Sequence, residues 1–472
     1  MKPPRVTVYV TSRNYGRFLE QCIDSIFCQT LTDWELILFD EGSSDNSLEI
    51  CRAAAARAPQ QIRVVANVEP QGLRACANQA IEMARGEFVV RLDADDYFDE
   101  NALLVMVAYL DANPDLGLVY PNWTYIGENG EFLGIEDRKK VGTEAQVLDL
   151  PAHGACTLVR KRVLKAIGGY DEQFSSQDGH ELWMKVLHRF KVGNVRTPLF
   201  FYRQHDTSMS RDEGRLLESR RQIKKAVAEL QTGPVKPRVV AIVPAKNSYA
   251  ALKNVALEPL AGKPLIDYTL DAAVESGIFH SIFVTTDDAA VVAHCEQRGD
   301  VVARMRDLRL SDTRAKLAEV VSDAVERLER ELEVYADIVV ILSVHAPLRR
   351  AEHIREAVDT LFVYDVDQVI STYEDVELHF RHGNQGMEPL NPGMLNTLRF
   401  EREALFVDNG AVHVVWRDFL EPGSLYRGRI GHTVMPRLES LQIKSLAEYE
   451  MIRGIIQGIR MGSENERSGY MA

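Results

Sequence analysis

Apolar positions along this chain fall into short unbroken runs separated by longer amphipathic stretches. The runs Val6–Thr11 (VTVYVT) and Val239–Pro244 (VVAIVP) are too short for helices and rich in β-branched residues, so each reads as a strand buried on both faces. Similar runs follow the first at 35–40, 62–67 and 87–92, and follow the second at 281–285, 338–342 and 367–371. Helical periodicity fills the gaps, as in Phe18–Cys28 and Ser47–Arg57. This alternation predicts an α/β protein with two Rossmann-like, nucleotide-binding domains, each built on a mostly parallel sheet. In such sheets ligands bind beyond the carboxyl ends of the strands.

A charged helical stretch, Glu213–Leu230, runs into Gln231–Pro237 (QTGPVKP), whose two prolines and one glycine read as a linker. The expected organisation is a first domain over 1–230, a linker over 231–237, a second domain over 238–460 and a flexible polar tail over 461–472.

Composition narrows the function classes. A net charge of −14 over 472 residues argues against nucleic-acid binding, which needs clustered Lys and Arg. The six cysteines, Cys22, Cys28, Cys51, Cys76, Cys156 and Cys295, contain no C-x-x-C pair and read as free thiols of a reducing, cytoplasmic compartment. The opening residues lack the pattern of a secretory signal, and no apolar run reaches the roughly 18 residues of a membrane span. A peripheral membrane contact stays open.

The chemistry gathers at strand ends. The first strand leads into Thr11-Ser12-Arg13-Asn14, the second into Asp40-Glu41-Gly42-Ser43, the fourth into Asp93-Ala94-Asp95-Asp96. Carboxylates concentrated there are costly unless they meet donors or cations, and a nucleotide with a divalent metal supplies both. Alternate carboxylates, as in Asp93-Ala94-Asp95, suit one hydrated Mg2+ or Mn2+.

These segments resemble the inverting family-2 glycosyltransferases of GT-A fold. VTVYVTSRNYGRFLEQCIDSIFCQT, FDEGSSDNS, GLRACANQAI, ARGEFVVRLDADD and GGYDEQF occur in the family's order, over roughly 5–210. The resemblance implies metal-dependent transfer of a hexosyl group from a nucleotide-sugar donor, most often a UDP-sugar. The acceptor would be a glycan or glycolipid, as in surface polysaccharide biosynthesis. It also implies that Asp40 reads the base with Ser12 beside it and that Asp93 contacts the nucleoside. Asp95 would hold the metal, and Arg74 would lie near the nucleotide. Glu41 departs from the family's second aspartate. In Gln177-Asp178-Gly179-His180-Glu181-Leu182-Trp183, both Asp178 and Glu181 fit the general base that an inverting transfer needs. His205, in Tyr202-Arg203-Gln204-His205, matches a histidine that approaches the metal or diphosphate.

The second domain resembles the acylneuraminate cytidylyltransferases, through PLAGKPLIDYTLDAA (259–273), IFVTTDD (282–288), Arg304, Ser311-Asp312-Thr313, Pro347-Leu348-Arg349 and Asn409-Gly410-Ala411. Its chemistry is altered. The family's glycine-rich loop is here Pro244–Leu252 (PAKNSYAAL), and the magnesium-binding D-I-D is Gln442-Ile443-Lys444. A lysine puts positive charge where the metal belongs. The domain therefore reads as a degenerate cytidylyltransferase-like partner, whose family suggests a homodimer through an exchanged loop near 373–405. Two alternatives stand beside this: a bifunctional enzyme with an active CMP-nonulosonic acid synthetase, and a non-enzymatic scaffold of a glycan-assembly complex.

Overall fold

The computed structural model describes residues 3–136, 154–172, 178–187, 189–205, 213–231, 236–249, 252–253, 255–312, 315–383, 386–390 and 405–469. The chain divides into two compact units, 1–223 with 377–403, and 224–376 with 404–472.

The first unit runs β1 (Val6–Ser12), α1 (Gly16–Phe27), β2 (Trp34–Glu41), α2 (Ser47–Arg57), β3 (Ile62–Asn67), α3 (Leu73–Met83) and β4 (Phe88–Asp93). It continues through β5 (Tyr97–Phe98), α4 (Ala102–Ala112), β6 (Leu116–Ile126), β7 (Phe132–Glu136), β8 (Leu158–Arg160), α5 (Lys161–Ala166), α6 (Asp178–Leu187) and β9 (Lys191–Arg203), followed by α7 (Glu213–Gln231). The sheet order is β3-β2-β1-β4-β8-β6-β9-β5, with β7 on β6. Strands β1 to β4 are parallel, and β8 is antiparallel to both β4 and β6. The chain moves outward from β1 through β2 and β3, then crosses to β4 on the other side. The crevice beyond the ends of β1 and β4 is therefore a topological switch point. Strand β1 is apolar on both faces for a reason. Val6, Val8 and Val10 pack in one core with Leu19, Ile23 and Ile26, while Tyr9 faces another with Ile37, Ala77 and Ile81.

At the opposite pole from the crevice, the β2 residue Glu35 is buried and fully engaged. It accepts hydrogen bonds from Thr7 Oγ1 (2.7 Å), Arg85 N (2.6 Å) and Arg85 Nε (2.6 Å), and pairs with Arg63 (3.0 Å). It thereby ties β1, β2, β3 and the residues before β4 together.

The boundary between the units falls inside α7, between Ile223 and Lys224. The proline-bearing segment expected as linker follows that helix, and 232–235 lie outside the described residues. In the second unit Lys224 is buried in a 3.1 Å ion pair with Glu356. Its elements are β10 (Val239–Ala245), two short hairpins β11–β12 (Ser248–Tyr249, Leu252–Lys253) and β13–β14 (Pro259–Leu260, Lys263–Pro264), α8 (Leu265–Ser276), β15 (Ser281–Thr286), α9 (Ala289–Arg298) and β16 (Val302–Met305). Then come α10 (Leu317–Leu332), β17 (Ile338–Leu342), α11 (Ala351–Val363), β18 (Gln368–Asp375), the hairpin β19–β20 (Phe380–Gly383, Gly386–Pro389), β21 (Leu405–Trp416), β22 (Ile430–Val434) and α12 (Leu446–Gly469). Hairpin β19–β20 belongs to the first unit. The order β16-β15-β10-β17-β21-β18-β22 again turns back at its first strand, β10. Helix α12 runs through Gly469, so much of the stretch expected as a flexible tail is helical backbone. Part of the 373–405 segment, 391–404, lies outside the described residues. No helix among the described residues is long and apolar enough to cross a membrane.

The Glu35 arrangement makes a pH prediction. Burial alone would raise its carboxyl, but the hydrogen bonds from Thr7 and Arg85 and the Arg63 charge outweigh it and hold the group below the ordinary glutamate range. A depressed folded value means that this stabilisation is complete above the unfolded value, near 4.3, and is lost as pH falls through the folded one. Resistance to denaturant should therefore fall in acid, and Glu35→Gln should flatten part of that dependence below about pH 4.3. An unchanged slope would contradict this role.

Candidate active site

Strands β1, β2 and β4 end side by side at the switch point. In register, Ser12 stands opposite Asp40, and Thr11 opposite Asp93. Ser12 and Asp40 are buried, at 1% and 2% exposure, yet Ser12 Oγ, Thr11 Oγ1 and Asp40 Oδ1 have no hydrogen-bond partner among the described residues. Buried polar atoms left unmet cost about 1–3 kcal/mol each, so Ser12 Oγ and Asp40 Oδ1, on residues paired in register, mark a position open to a ligand. Asp40 Oδ2 accepts from Ser43 N at 3.2 Å, which turns the carboxyl so that Oδ1 is left open.

The loops after β1 and β2 are locked to each other. Asn14 takes the left-handed conformation (φ +61°), which suits a short polar side chain. Its Oδ1 accepts from Ser44 N (2.8 Å), and its amide donates to Ser43 Oγ (3.0 Å). Asp45 accepts from Gly16 N (2.9 Å), the first residue of α1. Gly42 also has positive φ, and a Cβ there would lie 2.8 Å from the Val68 carbonyl, so only glycine makes this turn.

Glu41, the departure from the family's aspartate, has a use of its own. Its carboxylate accepts from Gln71 N and Gly72 N, both at 2.7 Å, and from Asn67 Nδ2. Gly72 is the N-cap of α3, so Glu41 neutralises the start of that helix, which no side chain of its own caps. Burial would raise the Glu41 carboxyl, but the Asn67 and backbone hydrogen bonds hold it below the ordinary range.

One strand over, the Asp93–Asp96 turn collects the acids. Asp93 pairs with Arg91, Nε to Oδ1 at 2.8 Å. Asp95 Oδ2 lies 2.9 Å from His205 Nε2, and the histidine is buried against Tyr15 and Phe18. Asp96 is buried, with Oδ1 accepting from Arg203 N at 2.9 Å and Oδ2 unmet. Burial, then the neighbouring charges, push Asp95 and Asp96 above the ordinary aspartate range. Arg203 clamps the turn. Its Nε donates to Asp95 O (2.9 Å), its Nη1 to Gly127 O (3.2 Å) and Glu128 O (2.8 Å), and its Nη2 to Gln21 Oε1 (2.7 Å), with the guanidinium 4.7 Å above the Phe18 ring.

The sequence-derived residues thus fall into pairs: Ser12 with Asp40, Asp95 with His205, and Arg74 with Glu181. Arg74 is buried, with Nη1 donating to Asp171 O (2.9 Å) and Glu181 Oε2 (3.3 Å). Glu181 is 2% exposed and also pairs with Lys185. Burial pushes its carboxyl up, against the pull of Lys185 and Arg74. Asp178 opens α6, but its side chain lies outside the described residues. Sequence reasoning gave no role to Arg203, Asp96 or Asn14. The motif around His205 already contained Arg203, and the positive-φ demand after a strand was the only signal for Asn14. Among the described residues no three His, Cys, Asp or Glu side chains converge on one metal position, so Asp95 and His205 stand as a two-donor set.

Residues 7–168 match the family model described as Glycosyl transferase family 2, and residues 240–411 the one described as Cytidylyltransferase. The chain is 29% identical over 235 residues to an N-acylneuraminate cytidylyltransferase of Streptococcus agalactiae serotype III, covering 46% of this chain and 52% of the relative. It is 22% identical over 183 residues to a chondroitin synthase of Escherichia coli, covering 39% of this chain and 26% of the relative. The chain thus spans about half the length, or less, of these curated relatives. Among solved structures, S. aureus TarS 1-349 in complex with UDP-GlcNAc aligns with a TM-score of 0.42 and 19% identity, over 48% of this chain and 67% of that one. Both units are α/β, the first of GT-A type and the second nucleotidyltransferase-like.

Shortening Glu41 tests the capping role. Glu41→Asp withdraws the carboxylate from the Gln71 and Gly72 amides and should cost about 1.5–3 kcal/mol, the worth of hydrogen bonds to a charged group. A drop in thermal midpoint for Glu41→Asp, but not for an exposed Glu→Asp control, is the expected result.

Proposed function

We propose that this chain, which joins a family-2 glycosyltransferase domain to a cytidylyltransferase-like domain, is a metal-dependent inverting glycosyltransferase. It would transfer a sugar from a nucleotide-sugar donor, a UDP-sugar first among them, to a glycan or glycolipid acceptor in surface polysaccharide or glycoconjugate synthesis. One observation carries the reading: the unmet Ser12 Oγ and Asp40 Oδ1, at the ends of β1 and β2, and the Asp95–His205 pair, just past β4, belong to the strand ends of one switch point. The first pair offers an acceptor and a hydroxyl to a base edge, and Asp93 lies between them and the turn as the nucleoside contact. The likeness to chondroitin synthase supports a glycan acceptor. The six free thiols support a reducing, cytoplasmic setting.

Asp95 and His205 fit Mg2+ or Mn2+, because a carboxylate and an imidazole 2.9 Å apart leave the remaining positions to diphosphate and water oxygens. Bound there, the ion would stabilise charge on the departing diphosphate. The chain's own residues do the rest. Arg203 holds the turn, the Tyr15 and Phe18 rings shield His205, and Asp178 takes the acceptor hydroxyl proton as the anomeric carbon is attacked from the opposite face.

In the second unit, positions that would bind CTP serve the fold instead. Hairpin β11–β12 occupies the stretch of the glycine-rich loop, and its amides pair across the hairpin. Asp287 accepts from Asn247 N (2.7 Å), and Asp288 caps α9 by accepting from Ala290 N (2.8 Å). Gln442 donates to the Asn409 carbonyl. These uses support a pseudoenzyme, with donor made elsewhere.

Asp95→Asn should lower Mn2+-dependent hydrolysis of the accepted nucleotide sugar by at least about 100-fold while leaving nucleotide binding measurable, as expected when transition-state charge loses its stabilisation. Hydrolysis indifferent to Asp95→Asn and to chelation would end the reading. Wild-type chain given CTP and N-acetylneuraminate should release no diphosphate, and release would instead favour a bifunctional enzyme.

A further inference from the structure

Three elements of the first unit meet in one buried knot that the chemistry above does not use. Helix α3 presents Arg74 and Asn78 one turn apart, on the same face. Asn78 accepts from Tyr170 N (2.8 Å) and donates to Tyr170 O (2.9 Å) and Glu172 Oε1 (3.0 Å). Arg74 donates to the Asp171 carbonyl and to Glu181 on α6. Lys185, one turn along α6, pairs with Glu181 and donates to the Gly169 carbonyl at 2.9 Å. Gly169 has φ +67°, and a Cβ there would stand 2.5 Å from Asn78 Oδ1, so the glycine lets the segment close on α3. At its N-cap, two residues before Arg74, α3 is held by Glu41, next in sequence to Asp40.

A path of charge-assisted contacts therefore runs from the nucleobase end of β2, along α3, to α6, whose first residue is Asp178. We propose that Arg74 and Glu181 are a positioning pair that fixes α6, and with it the general base at Asp178, against the donor-binding half. The inference rests on the glycosyltransferase reading of the same site. It gives Glu181 the task of placing the helix and leaves proton abstraction to Asp178.

Two arguments separate these roles. A general base must come within hydrogen-bond reach of the acceptor hydroxyl. Glu181 is 2% exposed, with Oε2 against Arg74 and Oε1 against Lys185, so reaching an acceptor means leaving both cations. That departure would also break the ion pair with Arg74, which is 6% exposed, and breaking a buried pair is strongly unfavourable. Positions three apart lie on one turn of a helix, so a pair that fixes Glu181 fixes the α6 backbone that carries Asp178.

The test uses the full chain with UDP-GlcNAc, UDP-glucose and GDP-mannose hydrolysis in Mn2+. Glu181→Gln should slow turnover about 10- to 100-fold, the scale of a 1 Å misplacement, yet keep the acid limb of the pH–rate profile. Asp178→Asn should remove that limb. Arg74→Met should match the Glu181→Gln loss, and the double variant should be no more than about threefold worse than either, since both break one contact. Loss of the acid limb in Glu181→Gln, or multiplicative losses, overturns the proposal. Amide hydrogen exchange adds a readout independent of turnover. Arg74→Met, or the milder Arg74→Lys should the first not fold, should raise exchange over 169–172 and 178–187 together and leave β1 and β2 unchanged. Unchanged exchange across 178–187 overturns the pair whatever the rates. Failure of the transferase reading looks different: no hydrolysis by the wild-type chain, or hydrolysis untouched by Asp95→Asn, with the exchange result deciding the pair by itself.

Discussion

Carboxylates crowded at the ends of neighbouring parallel strands repel one another, and the first unit is organised around holding them together. Asp40, Asp93, Asp95 and Asp96 stand at or just past the ends of β2 and β4, three of them within four residues. In a poorly solvated crevice such repulsion raises protonation or opens the turn unless cations and donors oppose it. Arg91 answers Asp93, His205 answers Asp95, and Arg203 answers Asp96 and the backbone of the turn. Two of these three come from the far end of the unit's chain, at the close of β9. The antiparallel and mixed half of the sheet, β8, β6 and β9, exists in this sense to return Arg203 and His205 to a turn made about 110 residues earlier.

Much of this was legible in the sequence because it is local. Continuous apolar runs marked β1 to β4 and β10, β15, β17 and β18 to within a few residues, since strands buried on both faces leave no polar alternation. Acids directly after those runs marked the crevice, since parallel strands deliver their ends to one side. What stayed hidden depends on tertiary approach. Arg74 is a helix residue whose partner lies 107 positions away, so neither periodicity nor composition pairs it with Glu181. Glu41 looked like an imperfect aspartate because only the fold reveals the α3 amides within reach of its extra methylene. Arg203 was visible as a letter in a motif, but its five bonds are to groups of three separate segments.

The second unit separates packing from chemistry. Its central network is intact. Ser371 bonds to Asn409, Asn409 to Ser440, and Arg349 spans the Ser343 and Ala411 carbonyls. These contacts hold the end of β17, β18, β21 and the segment before α12 together, and leave the buried Nε and Nη2 of Arg349 without a hydrogen-bond partner among the described residues. Around this network, Tyr249 stands in a short hairpin, Asp288 caps α9 and Gln442 donates to the Asn409 carbonyl.

The position of Arg203 has a consequence for how this molecule can vary. The same residue braces the acidic turn and stands two positions before His205, so the brace and the partner of Asp95 share one piece of backbone. A change that loosens one displaces the other, and the site has few partly working states between whole and lost. Variation in the donor pocket can proceed in small steps around Ser12, Asn14 and Glu41. Variation at the end of β9 is less graded, because losing the Arg203 side chain removes four hydrogen bonds around the acidic turn at once.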